Sequence, residues 1–293
     1  MTLDLIEVKP RLNVKKVVII TIVLILIISL ISTAIFFGVR QYNKNLSIIE
    51  RDILAKNRPA HELFYSDNAK QNKIVERVSH IYNSDYRRVF LTFDDGPSKS
   101  VTIPILDILK QNNVKATFFV TNGKPDYQNL IAQEAQRGHT VAIHSASHDY
   151  AKIYQSVDAY FADFDEMNSI ITAQTGKAAD LVRFPGGSSN TISKTYCYGI
   201  MSQLVCAVEE RGFRYCDWNV SSGDAGGTTS TSQVVANVIA GIKDNNVSVV
   251  LQHDIKNFSV DAVEQIIQWG LSEGYTFLPI TSTTPMSHHG INN

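Results

Sequence analysis

The segment LTFDDGPSKS, Leu91 to Ser100, ends an apolar run on two adjacent carboxylates, Asp94 and Asp95, and then turns through Gly-Pro. Asp-Gly and Gly-Pro dipeptides end strands in many folds, so the pair has a plain structural reading. Its chemical reading is a division of labour: one acid binds a metal while its neighbour moves protons. The segment HSASH sets His144 and His148 four residues apart, so one turn of helix would bring both imidazoles to one side. Two histidines and a carboxylate make a ligand set that leaves coordination positions open to water and substrate. Zn²⁺ is the first candidate for such a site, with Co²⁺, Ni²⁺ or Fe²⁺ as alternatives. A structural zinc site would want four protein ligands, and Cys197, Cys206 and Cys216 are not spaced to supply them.

If Asp95 ligates the metal, Asp94 is free to act as general base toward a water whose pKa the metal lowers to about 7. Arg183, in RFPGG, could hold Asp94 ionised and oriented, as an arginine fork does for a carboxylate. The next residues, Pro185, Gly186 and Gly187, form a flexible turn whose two glycine N–H groups are candidate donors to an oxyanion. His253, in LQHD, ends a strongly apolar run. Alone it reads as a core histidine; opposite an activated water it becomes an acid for a leaving group.

These groups need a scaffold that gathers them. From Arg88 onward short apolar runs recur: RRVFLTF, KATFFV, HTVAIH, DLVRF, FRYCDW, VSVVLQH and YTFLPI. Between them lie segments of helical periodicity, from IPILDILKQNN to DAVEQIIQWGLSEG, several ending at glycines such as Gly138, Gly176, Gly212 and Gly274. Strands alternating with helices predict an α/β domain with a parallel sheet, and seven strands predict a barrel-like closure. In such folds functional groups collect at the carboxyl ends of strands, which is where the acids, histidines, arginine and glycines above fall.

The remainder of the chain carries an address rather than chemistry. Residues 17–39, VVIITIVLILIISLISTAIFFGV, hold no charge and no proline. As a helix the run would be roughly 34 Å long, enough to cross a ~30 Å hydrocarbon core. A cleavable signal peptide is the rival, with Ser32-Thr33-Ala34 as its cleavage region, but the apolar run continues through Phe37. Lys9, Arg11, Lys15 and Lys16 before the run outweigh Arg40 and Lys44 after it, predicting an N-terminus inside and the domain outside. The predicted organisation is a cytoplasmic tail 1–16, a transmembrane anchor 17–39, a stem 40–86, a catalytic domain 87–281 and a polar, frayed tail 282–293. The His288-His289 pair in that tail reads as solvent-exposed rather than as a ligand set. With 27 basic against 28 acidic residues, nothing points to nucleic acid. Three cysteines without a CxxC pair form no disulfide framework, and each reads as a buried free thiol.

TFDDGP, HSASH, RFPGG and LQHD, in this order, resemble the NodB-type polysaccharide deacetylases, carbohydrate esterase family four, from about Arg88 to Ile280. The resemblance implies a deformed (β/α)7 barrel and metal-dependent removal of acetyl groups from carbohydrate polymers. It implies Asp94 as base, Asp95, His144 and His148 as metal ligands, Arg183 as tether of the base, Gly186 as oxyanion donor and His253 as acid. It also implies a substrate groove that includes Pro185, Gly187, Trp218 and Leu251. Three departures stand out. Gly186 replaces a tyrosine, which keeps the backbone donor but removes a wall of the groove. Ser221 and Ala225 stand where an aspartate that orients the acid histidine and a tryptophan are usual, leaving Asp224 or Asp217 to support His253. Asp149 replaces a proline after the second metal histidine.

The function implied is a membrane-anchored, outward-facing N-deacetylase of a cell-surface polysaccharide, with peptidoglycan amino sugars as first substrate. Two alternatives remain beside it: a deacetylase of secreted exopolysaccharide or an O-acetylated glycan, and a surface carbohydrate-binding protein without turnover. Oligomeric state is not addressed by any of these features.

Overall fold

The computed structural model of the protein describes residues 87–292. The expected membrane helix 17–39, the tail before it and the stem 40–86 lie outside the described residues. Among the described residues no helix is long and apolar enough to cross a membrane.

Eight parallel strands form one curled sheet: β1 (Arg88–Asp94), β2 (Thr117–Thr121), β3 (Thr140–Ser145), β4 (Leu181–Val182), β5 (Arg214–Tyr215), β6 (Val220–Ser221), β7 (Val247–His253) and β8 (Thr276–Phe277). Their order is β5-β4-β3-β2-β1-β7-β6, with β8 added onto β1. The sheet is thus a curled, open version of the expected barrel, with β2 at the middle of the order and β1 and β7 next in line toward the β6 edge. Seven of the strands coincide with the seven apolar runs. The eighth, β6, was not expected: its Val220 stands alone among the polar Asn219, Ser221 and Ser222, so no apolar run marks it.

Among the described residues seven α-helices connect and cover the strands: α1 (Thr102–Gln111), α2 (Asn129–Gln136), α3 (Tyr150–Ile153), α4 (Val157–Thr175), α5 (Ile200–Glu210), α6 (Thr231–Lys243) and α7 (Asn257–Ser272). The longest, α4, follows directly from its sequence. Tyr160, Phe164, Met167 and Ile171 recur at helical spacing and are buried. The Ser156 hydroxyl caps its first turn by accepting from Ala159 N–H, and Gly176, at φ 75°, closes its last.

Side chains of the central strands alternate between two cores. Val89, Leu91 and Phe93 of β1 and Val250 of β7 face the helices. Phe90, Phe119, Ala142, Leu181, Cys216 and Val249 fill the concave interior. Asp94 and His253 follow the same alternation as Phe90 and Val249, so strand period aims both into the mouth of the concave side. Of the three free cysteines only Cys216 is buried; Cys206 is exposed, because it lies on the outer side of α5 rather than on its apolar stripe.

The tail is not frayed. Ser287 O accepts Asp217 N–H at 2.7 Å, and His289 N–H donates to Asp217 Oδ2 at 2.9 Å. His288 is exposed but stacks on Tyr215, with ring centroids 3.9 Å apart, and His289 lies half-buried with its ring edge toward Trp218. The segment docks through hydrogen bonds and ring contacts, which its polar composition does not advertise.

Candidate active site

Asp94 and His253 sit opposite one another in the β1–β7 ladder, and Asp94 also pairs with Phe119 of β2. Immediately after β1 the chain turns left-handed at Asp95, φ 75°. That backbone costs about 1–3 kcal/mol for a residue with a side chain and persists only where its surroundings impose it. Thr121 of β2 supplies part of that constraint, its N–H donating to Gly96 O at 2.7 Å and its hydroxyl to Asp95 O at 2.9 Å. Gly96 packs against the buried Asp254 carboxyl, into which any β-carbon at 96 would run.

The two histidines reach the site differently from the expected helical turn. His144 is on β3, whereas His148 lies in the loop before α3, with φ 51°. Asp163, buried on α4, shapes that loop. Its carboxylate accepts from Ser145 Oγ at 2.6 Å, Ala146 N–H and Ser147 N–H at 2.8 Å, and Ser147 Oγ at 2.5 Å. Ser145 Oγ in turn accepts His148 N–H at 2.8 Å. Asp149 caps α3, its Oδ1 accepting from Ala151 N–H at 3.0 Å, which gives the residue in the proline's position a structural task.

Asp95, His144 and His148 converge, each offering a ligand atom within 4.8 Å of the others. Asp95 Oδ1 lies 3.4 Å from His144 Nε2 and 3.2 Å from His148 Nε2. It is buried, yet neither contact is aligned as a hydrogen bond. His144 Nδ1 lies 2.8 Å from Arg183 O; since a carbonyl only accepts, Nδ1 carries the proton and Nε2 presents its lone pair inward. Burial alone would lower the His144 pKa, but Asp94 and Asp95 outweigh it and raise it, which marks a place short of positive charge. Burial likewise raises the Asp95 carboxyl, while His144, His148 and His253 together hold it well below the usual range. An orphaned buried oxygen, two imidazole nitrogens aimed at it and a deficit of positive charge fit a divalent cation.

Asp94 is buried beside this set, its Oδ2 3.9 Å from His144 Nε2. Arg183 Nη1 donates to Asp94 Oδ1 at 2.8 Å and to Thr92 Oγ1 at 2.7 Å. The contact is single rather than the expected fork, because Nε and Nη2 donate to Cys216 O at 2.9 Å and Asp217 O at 3.0 Å. The guanidinium is fully buried and lies over the Phe119 ring at 4.1 Å.

His253 is supported by Asp224, not by Asp217. Asp224 Oδ1 lies 2.7 Å from His253 Nδ1, while Oδ2 accepts His253 N–H at 2.8 Å and Ser259 Oγ at 2.6 Å. Burial depresses the His253 pKa, but the Asp224 hydrogen bond and the charges of Asp94, Asp224 and Asp95 raise it to about 9. Its Nε2 points back to the site, 4.0 Å from Asp95 Oδ2. Asp217 instead braces the glycine loop, accepting Ser188 N–H at 2.8 Å and Ser188 Oγ at 2.6 Å. Ser221 and Ala225 are both exposed.

The glycine loop offers one donor rather than two. Gly187 N–H is used by Phe184 O at 2.8 Å, whereas exposed Gly186 finds no acceptor among the described residues. Of the four expected groove residues, Pro185, Gly187 and Leu251 are buried and Trp218 is half-buried. Trp218 packs against Gly187, where a β-carbon would come within 2.9 Å of its ring. Asp163 and the docked tail were not anticipated. The one available signal for Asp163 was an acid set among the apolar positions of α4.

A curled parallel α/β sheet thus gathers these acids and histidines at the carboxyl ends of its strands. Residues 82–198 match the family described as polysaccharide deacetylase. The chain is 33% identical over 203 residues to a peptidoglycan-N-acetylglucosamine deacetylase of Bacillus cereus, covering 67% of this chain and 70% of the relative. It superposes on the crystal structure of the catalytic domain of peptidoglycan N-acetylglucosamine deacetylase from Eubacterium rectale with TM-score 0.70 and 66% identity, covering 72% of this chain and 96% of that one. A polysaccharide deacetylase from Bacillus cereus follows, with TM-score 0.60, 32% identity and coverage of 70% and 96%. The chain belongs to the polysaccharide deacetylase family.

Proposed function

We propose that this protein is a metal-dependent carbohydrate N-deacetylase acting on amino sugars of peptidoglycan. The observation that carries the reading is the convergence of Asp95, His144 and His148 between two supported proton-transfer groups, Asp94 with Arg183 and His253 with Asp224. The substrate is inferred from the relatives, two of which are named for peptidoglycan N-acetylglucosamine. The apolar segment 17–39 supports an anchored enzyme, and the basic residues Lys9, Arg11, Lys15 and Lys16 before it support an outward-facing one close to such a polymer.

Asp95, His144 and His148 would hold a divalent cation, zinc by the chemistry of the donor set. When bound, such an ion polarises a carbonyl oxygen and acidifies water. The residues around it account for the rest. Arg183 occupies Asp94 Oδ1, leaving Oδ2 to take a proton from the attacking water. Gly186 N–H donates to the oxygen that becomes negative as the acetamide carbon turns tetrahedral. His253, protonated at neutral pH and fixed through Nδ1 by Asp224, delivers the Nε2 proton to the departing sugar amine. Acetate and a free amine result.

The test is acetate release from isolated cell wall after chelation and metal add-back. Wild type is expected to recover turnover, whereas Asp94→Asn and His253→Ala recover almost none while still binding metal. Full acetate release by Asp94→Asn would refute the assignment of the base.

A further inference from the structure

Gly186, the free donor of the glycine loop, adopts φ +77°, and the space its side chain would occupy is already filled. A β-carbon there would lie 2.7 Å from the Tyr150 hydroxyl and 3.3 Å from Tyr150 Cε1. Asn190 Cβ of the same loop lies 3.2 Å from that point, so the space beside Gly186 is shared between Asn190 and a phenol that comes from a different loop. Tyr150 follows the ligand His148 by two residues and stands edge-on to its ring, centroids 5.6 Å apart. Its other neighbour is Tyr154, 5.5 Å away, whose hydroxyl donates to Pro185 O at 2.7 Å. The phenol is thus wedged between the metal-ligand loop and the oxyanion loop, with one edge on His148 and its hydroxyl at Gly186. It is half-buried, and its hydroxyl has no partner among the described residues.

We propose that the Tyr150 phenol is the wall of the acyl pocket and sets the size of the acyl group that the site accepts. The inference rests on the deacetylase reading above, because it takes Gly186 N–H as the donor to the acyl oxygen. An acyl group whose oxygen approaches that N–H brings its alkyl end toward Gly186 and His148, where the phenol stands against both. Tyr150 is in this sense a specificity-determining residue that contacts substrate. The phenol touches Gly186 and His148 from the side, so shortening it enlarges the pocket without removing a ligand or the donor.

The experiment compares chitotetraose bearing N-acetyl groups with the same oligomer bearing N-propionyl groups, using the zinc-loaded protein. Wild type is expected to prefer acetyl. Tyr150→Ala should raise the propionyl-to-acetyl ratio of kcat/KM about tenfold, the usual worth of one methylene in a pocket. Tyr150→Phe keeps the ring and should leave that ratio within about twofold. Tyr150→Leu removes the ring that faces Gly186 while keeping an apolar side chain, and serves in place of alanine if that variant does not fold; its ratio is expected to rise likewise. An unchanged ratio in the folded small-side-chain variant overturns the proposal while leaving the deacetylase reading intact. Should wild type hydrolyse neither oligomer nor isolated cell wall, the deacetylase reading fails and this inference falls with it.

Discussion

Arg183 touches both halves of the site: its backbone carbonyl accepts the Nδ1 proton of His144 at 2.8 Å, and its guanidinium donates to Asp94 at 2.8 Å. One residue at the end of β4 thus orients a candidate ligand through its main chain and the candidate base through its side chain. The two roles can be separated by mutation, because only one depends on residue type.

Replacing Arg183 by Met keeps the carbonyl but leaves Asp94 buried without its cation. Removing one partner of a buried ion pair costs about 3–5 kcal/mol. The variant is expected to melt well below wild type and to lose at least about a hundredfold in acetate release, in the range seen when a transition-state donor or its support is removed. Zinc affinity, measured by titration of the folded variant, should change much less. Equal losses of zinc affinity and turnover would mean that the guanidinium, not the carbonyl, positions His144.

Much of this site was legible from strand ends alone. Asp94, Asp95, His144, Arg183 and His253 carry their chemistry at the carboxyl termini of strands long or apolar enough to read, and a parallel sheet must bring such termini together. The choice between Asp224 and Asp217 was not legible, because it depends on β6, a two-residue strand whose Ser221 pairs with Leu251 of β7 and so carries the following loop to His253. The helical reading of His144 and His148 failed for a related reason. Four-residue spacing also fits a strand followed by a tight loop, and the loop is shaped by Asp163, eighteen residues from Ser145 in sequence. The docked tail was invisible because hydrogen bonds to Asp217 and the ring contacts of His288 and His289 hold it, with Met286 as a lone apolar contact, and none of these makes an apolar pattern in the sequence.

Asp224→Asn tests the support of the acid. Asp224 is the largest influence raising the His253 pKa against burial, so its neutralisation should lower that pKa from about 9. Because the acid must be protonated to act, the alkaline limb of the pH–rate profile should move to lower pH. Activity near neutrality falls while activity at mildly acid pH is partly retained. An unmoved alkaline limb would remove His253 from the role of acid.

Metal removal offers a readout independent of turnover. Asp95 Oδ1 is buried without an aligned donor, so the site is short of a cation and binding should stabilise the fold. Added zinc is expected to raise the melting temperature of chelated protein, and the rise should be largely abolished in His148→Ala. A zinc-dependent rise of the same size in that variant would mean that the ion binds elsewhere.

The last expectation concerns acid stability and a histidine far from this chemistry. His139 is buried ahead of β3, and its Nδ1 accepts Ala116 N–H at 3.2 Å, which requires that nitrogen to be unprotonated. Burial, reinforced by Lys115 and Arg137, pushes its pKa down from 6.5 to about 3. In that window the unfolded chain binds a proton that the folded chain refuses, so stability falls as pH drops from 6.5 toward 3 and this contribution levels off below. His139→Gln removes the titration while keeping a side-chain acceptor for Ala116 N–H. Urea unfolding of the two proteins at several pH values across that range should give a shallower decline for the variant. Parallel declines would show that the acid sensitivity comes from other groups and that His139 is protonated without cost in the folded state.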